Sequence, residues 1–336
     1  GYQRDTYKID VSIPRFGSGE GKGVINESVR GYDIYIVCDV FNYSCSYDMY
    51  GRKVYMSPDD HFADLKRVIS ALCSKPKRVS VIMLYEGRQH KRSSRESLDC
   101  AMALKELVHL GVENIITFDA HDQRVQNAIP DKSFENVMPT YQMIKALVNN
   151  VEDLNVDKDH LMIISPDEGA LHRCIYFATQ LGVNLGMFYK RRDYTRVVNG
   201  RNPIVEHQYL GDSVKGKDII IVDDMISSGE SMLEVAMKLK NLGCGRIFVC
   251  TTFGLFCNGL DVFDKAYKDG VFYRVFTTNG VYQPQELLDR EWYVSVELSK
   301  YAAYLIDTLN HDMSVSSLLD SSAKIDTLLK NKGLKD

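Results

Sequence analysis

The amino-acid sequence predicts an α/β fold with mainly parallel sheets flanked by helices, arranged as two successive sets of strands and helices. Three observations carry this reading. Apolar runs without polar alternation, such as Ile219, Ile220, Ile221 and Val222, suit strands covered on both faces. Segments with apolar residues at helical spacing fall between most of these runs, and such alternation builds parallel sheets. A chain of 336 residues with 45% hydrophobic content can also bury two cores.

Strands are expected at residues 33–38, 79–84, 114–118, 161–165, 185–189, 219–222, 247–251 and 273–277. A helix start stands at Ser57, which can cap; Pro58 suits the first helical position, Asp59 and Asp60 complement the dipole, and Phe62, Leu65, Val68, Ile69 and Leu72 mark the buried stripe. A second helix is expected over residues 97–110, stopped by Gly111. The domains are placed at 1–145 and 146–310, because the chain leaves one βα set and begins another there without a low-complexity linker. Residues 311–336 form a C-terminal segment, in which Ile325, Leu328 and Leu329 make a short stripe: a terminal helix or a partly ordered tail.

A formal charge of −4 argues against a nucleic-acid partner, so any phosphate affinity must be local. The eight cysteines form no CxxC pair or regular framework, and buried free thiols are expected. Neither a secretory signal nor a transmembrane span is read, which suits a cytoplasmic protein without a membrane partner.

The chemistry concentrates at residues 218–231. A buried strand delivers Asp223 and Asp224 into a turn containing Ser227, Ser228, Gly229, Glu230 and Ser231, and a helix follows through Leu233, Val235, Ala236, Leu239 and Leu242. Backbone N–H groups and hydroxyls at a helix N-terminus favour phosphate, while paired carboxylates can hold sugar hydroxyls or a divalent cation. A phosphorylated sugar is the implied ligand, although Ser, Asp and Gly also serve ordinary turns and caps.

Asp167 lies in a second Gly-containing loop directly after the strand at 161–165. Lys190 and Arg192 open a polar stretch reaching about Lys217, read either as a solvated basic loop or as a mobile loop closing over a polyphosphate. Asp119 and His121 follow the strand at 114–118 and can meet one cation or phosphate; Arg88 and Gln89 add donors after the strand at 79–84.

The loop at Asp223 resembles the phosphoribosyl-diphosphate loop of type I phosphoribosyltransferases. The ordered series is similar to ribose-phosphate diphosphokinases, also called phosphoribosyl diphosphate synthetases, as a divergent member: Arg15-Phe16-Gly17-Ser18-Gly19-Glu20, Arg88-Gln89, Asp119-Ala120-His121, Ser165-Pro166-Asp167, Lys190-Arg191-Arg192, Asp223-Asp224 and Ser314-Val315-Ser316-Ser317-Leu318. The resemblance implies two phosphoribosyltransferase-like domains, an ATP side at 1–145 and a ribose 5-phosphate side at 146–310, with 311–336 packing on the N-terminal domain. It implies an enzyme, a Mg²⁺-dependent transferase of diphosphate groups acting in nucleotide synthesis. Phe16, Ser18, Glu20, Arg88, Gln89 and His121 then meet ATP, and Asp223, Asp224, Ser227, Ser228, Gly229, Glu230 and Ser231 meet ribose 5-phosphate. His121, Asp119 and Asp167 belong near the metal, and Lys190, Arg192 and His121 carry catalysis. A homo-oligomer, a hexamer by resemblance, follows from an adenine-contacting segment shared between subunits. Gln126, Asn136 and residues 314–318 resemble parts of a regulatory site.

This chain departs from the family pattern at several positions, among them Glu230 beside a shifted Gly and Glu135-Asn136 where an Asp-Asn pair is usual. His90 stands where an acid is usual, Ser18 replaces an Asp or Asn, and the sugar loop has Ser227 where a third Asp is common. His90, Ser18 and Glu230 keep open a catalytically weak or inactive regulatory homologue, and the segment 218–231 taken alone also suits a phosphoribosyltransferase that consumes phosphoribosyl diphosphate, which leaves Arg88 and Gln89 without a task.

Overall fold

The computed structural model describes residues 7–83, 95–192 and 204–335. Two compact units emerge, one of residues 1–138 with Gly280–Tyr282 and Asn310–Asp312, the other of Pro139–Asn279, Gln283–Leu309 and Met313–Asp336. The division therefore falls at residue 138 rather than 145, because Met143, Ile144, Leu147 and Val148 of one helix pack wholly into the second unit's core.

The first unit is built on a four-stranded parallel sheet of β1 (Asp33–Cys38), β2 (Arg78–Met83), β3 (Asn114–Phe118) and β4 (Ser133–Val137), paired in that order. Helix α1 (Pro58–Ala71) begins as its sequence predicts. The Ser57 Oγ accepts from the Asp60 N–H at 3.2 Å and the Asp60 carboxylate accepts from the Ser57 N–H at 2.9 Å, so two otherwise orphaned donors satisfy each other's residues. Its buried Phe62, Leu65 and Ile69 meet Cys100, Ala103, Leu104 and Leu107 of α2 (Asp99–His109) over the sheet residues Val79, Val81 and Ile115.

In the second unit seven strands form one sheet: β5 (Leu161–Ser165), β6 (Asn184–Arg192), β7 (Ile204–Leu210), β8 (Asp218–Ile226), β9 (Ile247–Gly254), β10 (Arg274–Thr278) and β11 (Tyr293–Val296). The spatial order is β7-β6-β5-β8-β9-β10-β11, all parallel except β7, which runs antiparallel to β6. Period-two alternation divides β8 between two cores. Ile219 and Ile221 face Val235, Ala236 and Leu239 of α5 (Glu230–Asn241) and Phe263 of α6 (Asp261–Lys268). Ile220 and Val222 face the other cluster, with α3 (Thr140–Asn150) and α4 (Leu171–Leu181). Both faces are thus covered, which is why this strand reads as an unbroken apolar run.

Two expectations are corrected here. The polar stretch after Lys190 is not one loop: Lys190 and Arg192 end β6, and residues 204–210 return beside it as β7, with Tyr209 resting on Phe188 at 5.4 Å between ring centroids. Three consecutive polar residues, Glu206, His207 and Gln208, interrupt the apolar pattern, so the strand carries no apolar run in sequence. The C-terminal segment is divided: His311 and Asp312 fall in the first unit, where the Asp312 carboxylate accepts from Arg78 Nη1 at 2.7 Å, and the rest belongs to the second. Its helix α7 (Ser322–Asn331) buries Ile325 and Leu329 completely against α3 and α4, because that stripe completes the second unit's core. No helix among the described residues is long and apolar enough to cross a membrane.

Leu329→Ala is expected to destabilise the second unit by about 2–5 kcal/mol through lost burial and a cavity. The exposed Lys330→Ala is expected to change it little. Urea unfolding of both variants checks this, and equal midpoints would show that α7 is not part of the core.

Candidate functional site

The chain runs from β5 outward to β6 on one side and returns to the opposite side of β5 with β8. Open parallel sheets hold ligands outside the carboxyl ends of strands at such a reversal. Here the two strand ends supply the Pro166-Asp167 loop and the segment from Asp223 onward. They enclose a cavity of about 150 Å³ lined by Asp167, Asp223, Ser227, Ser228, Gly229 and Ser231, with Pro166, Met225, Ile226, Met232 and Val235 as its apolar part.

Local sequence determines the turn. Gly229 sits at φ +86°, and a Cβ there would lie 2.3 Å from the Phe263 ring, so both backbone conformation and packing demand glycine. The turn is clasped from outside by the loop after β9: the Leu255 N–H donates to Ile226 O and the Cys257 N–H to Ser227 O, each at 2.9 Å. Helix α5 then starts at Glu230, whose N–H approaches the Ser228 Oγ at 3.4 Å. Glu230 is exposed and does not line the cavity. The first turn of any helix leaves N–H groups without carbonyl partners, and here they stand beside three serines.

Asp224 is buried at 3% exposure, and Asp223 is partly covered. Burial, and then the neighbouring Asp224 charge, push the Asp223 carboxyl well above its ordinary range; Arg173 opposes this and Asp167 adds to it. Arg173, itself 8% exposed, brings Nη1 to 3.4 Å from Asp223 Oδ1 and 3.8 Å from Asp224 Oδ1. It was not among the residues picked from sequence. The available signal was its place on the apolar face of α4, three residues after Ala170 and one before Cys174, where an arginine needs a buried acid. Asp167 is oriented by its own turn, its Oδ1 accepting from the N–H groups of Gly169 at 2.9 Å and Ala170 at 3.2 Å.

The remaining predicted residues lie in the first unit or at the end of β6. Asp119 is buried and adopts φ +45°, an uncommon left-handed conformation for a residue with a side chain. It is held there by its own N–H on Val137 O at 3.0 Å and by the Ala120 N–H on Asn136 Oδ1 at 2.9 Å. His121, two residues on, is partly exposed. Phe16, Ser18 and Glu20 share a tight turn: the Phe16 N–H donates to Glu20 O, Gly19 takes φ +92°, and Ser18 Oγ donates to the Glu20 carboxylate at 2.9 Å. The turn leaves Phe16 56% exposed, which is unusual for so large an apolar ring. Lys190 and Arg192 occupy the last residues of β6, paired with His207 and Ile204 of β7. Arg88 and Gln89 lie outside the described residues.

The profile of the N-terminal domain of ribose phosphate pyrophosphokinase matches residues 3–111, and that of the phosphoribosyl transferase domain matches residues 132–285. A ribose-phosphate pyrophosphokinase of Vibrio parahaemolyticus is 27% identical over 318 residues, covering 93% of this chain and 91% of that protein. One of Aquifex aeolicus is 28% identical over 254 residues, covering 74% and 72%. In fold, the chain is similar to the crystal structure of phosphoribosylpyrophosphate synthetase from Mycobacterium smegmatis, with a TM-score of 0.73, 19% identity and 92% of each chain covered.

The raised Asp223 carboxyl has a consequence for stability. Unfolded carboxylates ionise near pH 4, and in the folded chain Asp223 holds its proton to higher pH. Its contribution is therefore fully present below about pH 4 and is lost as pH rises toward the folded value. Asp223→Asn is expected to raise the ligand-free unfolding midpoint at pH 7, with a gain that shrinks toward zero at pH 4. Thermal unfolding at both values checks it, and a variant less stable than the parent at pH 7 contradicts it.

Proposed function

Since the chain belongs to the ribose-phosphate pyrophosphokinase family, we propose that it transfers the β,γ-diphosphoryl group of ATP to the anomeric hydroxyl of ribose 5-phosphate, giving phosphoribosyl diphosphate and AMP for nucleotide synthesis. The observation that carries this is the cavity at the strand reversal, where paired acids and a serine-rich helix start converge. Carboxylates there suit sugar hydroxyls, and N–H groups and serine hydroxyls suit the 5-phosphate.

In this reading Asp223, Asp224, Ser227, Ser228, Gly229 and Ser231 hold the sugar phosphate, with Glu230 contributing its N–H and turning its carboxylate away. Arg173 keeps the two acids together. Phe16, Ser18, Glu20, Arg88, Gln89 and His121 meet ATP, Phe16 from a neighbouring subunit of a homo-oligomer, a hexamer in the family's pattern. The anomeric oxygen attacks the β-phosphorus, the bond from that phosphorus to the α,β-bridging oxygen breaks, and AMP leaves carrying the bridging oxygen. The hydroxyl proton is released as the new bond forms. Lys190 and Arg192 stabilise charge on the transferring group, and His121 donates to the polyphosphate.

Mg²⁺ is the proposed cofactor, and it neutralises polyphosphate charge. Among the described residues no cluster of three or more metal-ligating side chains is assembled. Asp119 and His121 are the proposed protein ligands, and Asp167 lines the sugar side. The reaction is placed in the cytoplasm.

Incubation with ATP, ribose 5-phosphate and Mg²⁺ is expected to form AMP and phosphoribosyl diphosphate in equal amounts. Lys190→Ala is expected to lower kcat by about 10²–10³-fold with the KM for ribose 5-phosphate changed only a few-fold, because a contact made chiefly in the transition state is lost. No AMP under any metal or phosphate condition would favour a regulatory homologue. Pyrophosphate release that requires a nucleobase and spends no ATP would favour a phosphoribosyltransferase.

A further inference from the structure

A second cavity in the C-terminal unit, of about 490 Å³, is lined by one face of α3, the end of β11, the helix Ser299–Asn310 and the C-terminal segment from Leu318 to Lys324. Its size is that of a small-molecule site. None of Asp223, Ser227, Gln126 or Asn136 lines it, so it is separate from the sugar loop; of the C-terminal motif at 314–318 only its last residue, Leu318, borders it.

Three lysines stand against one carboxylate in the lining. Lys145, Lys300 and Lys324 all border the cavity, and none of them is ion-paired among the described residues. The acidic residue on the wall, Glu297, is occupied: its carboxylate accepts from Ser299 N–H at 2.7 Å and Asn279 Nδ2 at 3.1 Å. The three cations come from three different elements, so the chain has brought them to one concavity rather than along one solvated helix face. Aromatic rings supply the rest of the wall. Tyr141 and the half-exposed Tyr304 line it, and the Lys300 ammonium stands 5.7 Å from the centre of the Tyr304 ring. Gln142, also on the wall, has its Oε1 closed off from solvent without a hydrogen-bond partner, and a rotation of that amide would offer it to a donor on a ligand.

The walls are held firmly. The Tyr301 hydroxyl donates to Leu318 O at 2.7 Å, Gln180 Nε2 donates to Ser322 Oγ at 3.0 Å, and Ile325 and Leu329 are fully buried beyond them. The C-terminal segment thus closes a preformed concavity.

We propose that this cavity binds a phosphorylated small molecule carrying a planar ring, with the phosphate among Lys145, Lys300 and Lys324 and the ring against Tyr141 and Tyr304. Cations without protein partners suit an anion of more than one charge, and the half-exposed Tyr304 ring, beside the partly buried Tyr141, suits a flat apolar surface. A mononucleotide has both parts.

Lysine acetylation of the full chain, mapped by peptide mass spectrometry, reads this site separately from the catalytic one. At twice its dissociation constant, adenosine 5′-monophosphate is expected to slow modification of Lys145, Lys300 and Lys324 about threefold, and to leave the exposed Lys53 unchanged. Adenosine and inorganic phosphate at the same concentration are expected to protect less. In Lys145→Glu/Lys324→Glu, two substitutions at exposed positions, protection of Lys300 is expected to disappear while ATP-dependent AMP formation continues. Absence of protection in the parent chain, or protection that survives the charge reversal, overturns the site. Equal protection by inorganic phosphate and the nucleotide overturns the ring-bearing ligand.

Discussion

Two adjacent carboxylates are carried by a buried strand to its C-terminal end, and their mutual repulsion is the constraint on which the site depends. Asp224 is almost completely covered and Asp223 is held well above its ordinary range by burial and by Asp224. Left alone, such a pair would be strongly unfavourable. Arg173 reaches both acids from α4, within 3.8 Å of each. A single guanidinium does not balance two ionised acids, so the Asp223 carboxyl is pushed toward keeping its proton, and hydroxyl donors or a cation arriving with a sugar would favour its ionisation. The folded chain therefore carries an unfavourable term at the place where a ligand would relieve it, in keeping with strain concentrated at functional sites.

The surrounding architecture serves to keep that pair in place. β8 is central in the seven-stranded sheet and divides its side chains between two cores, so its position cannot shift without disturbing both. The turn beyond it is gripped by the loop after β9, and Gly229 admits Phe263 where any side chain would collide. The N-terminal unit repeats the device in smaller form. There a parallel strand ends at buried Asp119, whose unusual backbone angle is maintained by Val137 and Asn136 of the next strand. In both units rigid strands aim short loops, and sites built this way are positioned by backbone hydrogen bonding rather than by the loop's own preference.

Much of the fold was legible in sequence because burial on both faces leaves a local mark. The strands Asp33–Cys38, Asn114–Phe118 and Leu161–Ser165 match their apolar runs residue for residue, and the Ser57 start of α1 follows from cap, proline and acid in order. β4 and β7 carried no such mark: Glu135 and Asn136 interrupt the first, and the consecutive Glu206, His207 and Gln208 interrupt the second. α7 left only a three-residue stripe, and where it docks depends on α3 and α4, which are distant in sequence. The same division applies to the site. Asp223, Ser227 and Ser228 lie in one contiguous segment and so could be read together, whereas Arg173 acquires its meaning only when α4 is laid beside β8.

The central claim is that the paired acids present a sugar hydroxyl to the β-phosphorus of ATP. It is tested most directly by following ATP labelled at the β-phosphorus in the presence of ribose 5-phosphate and Mg²⁺. The account predicts that the label appears in the sugar product while the released nucleotide is unlabelled AMP. Label retained in ADP, with only the terminal phosphoryl group moved to the sugar, would contradict it.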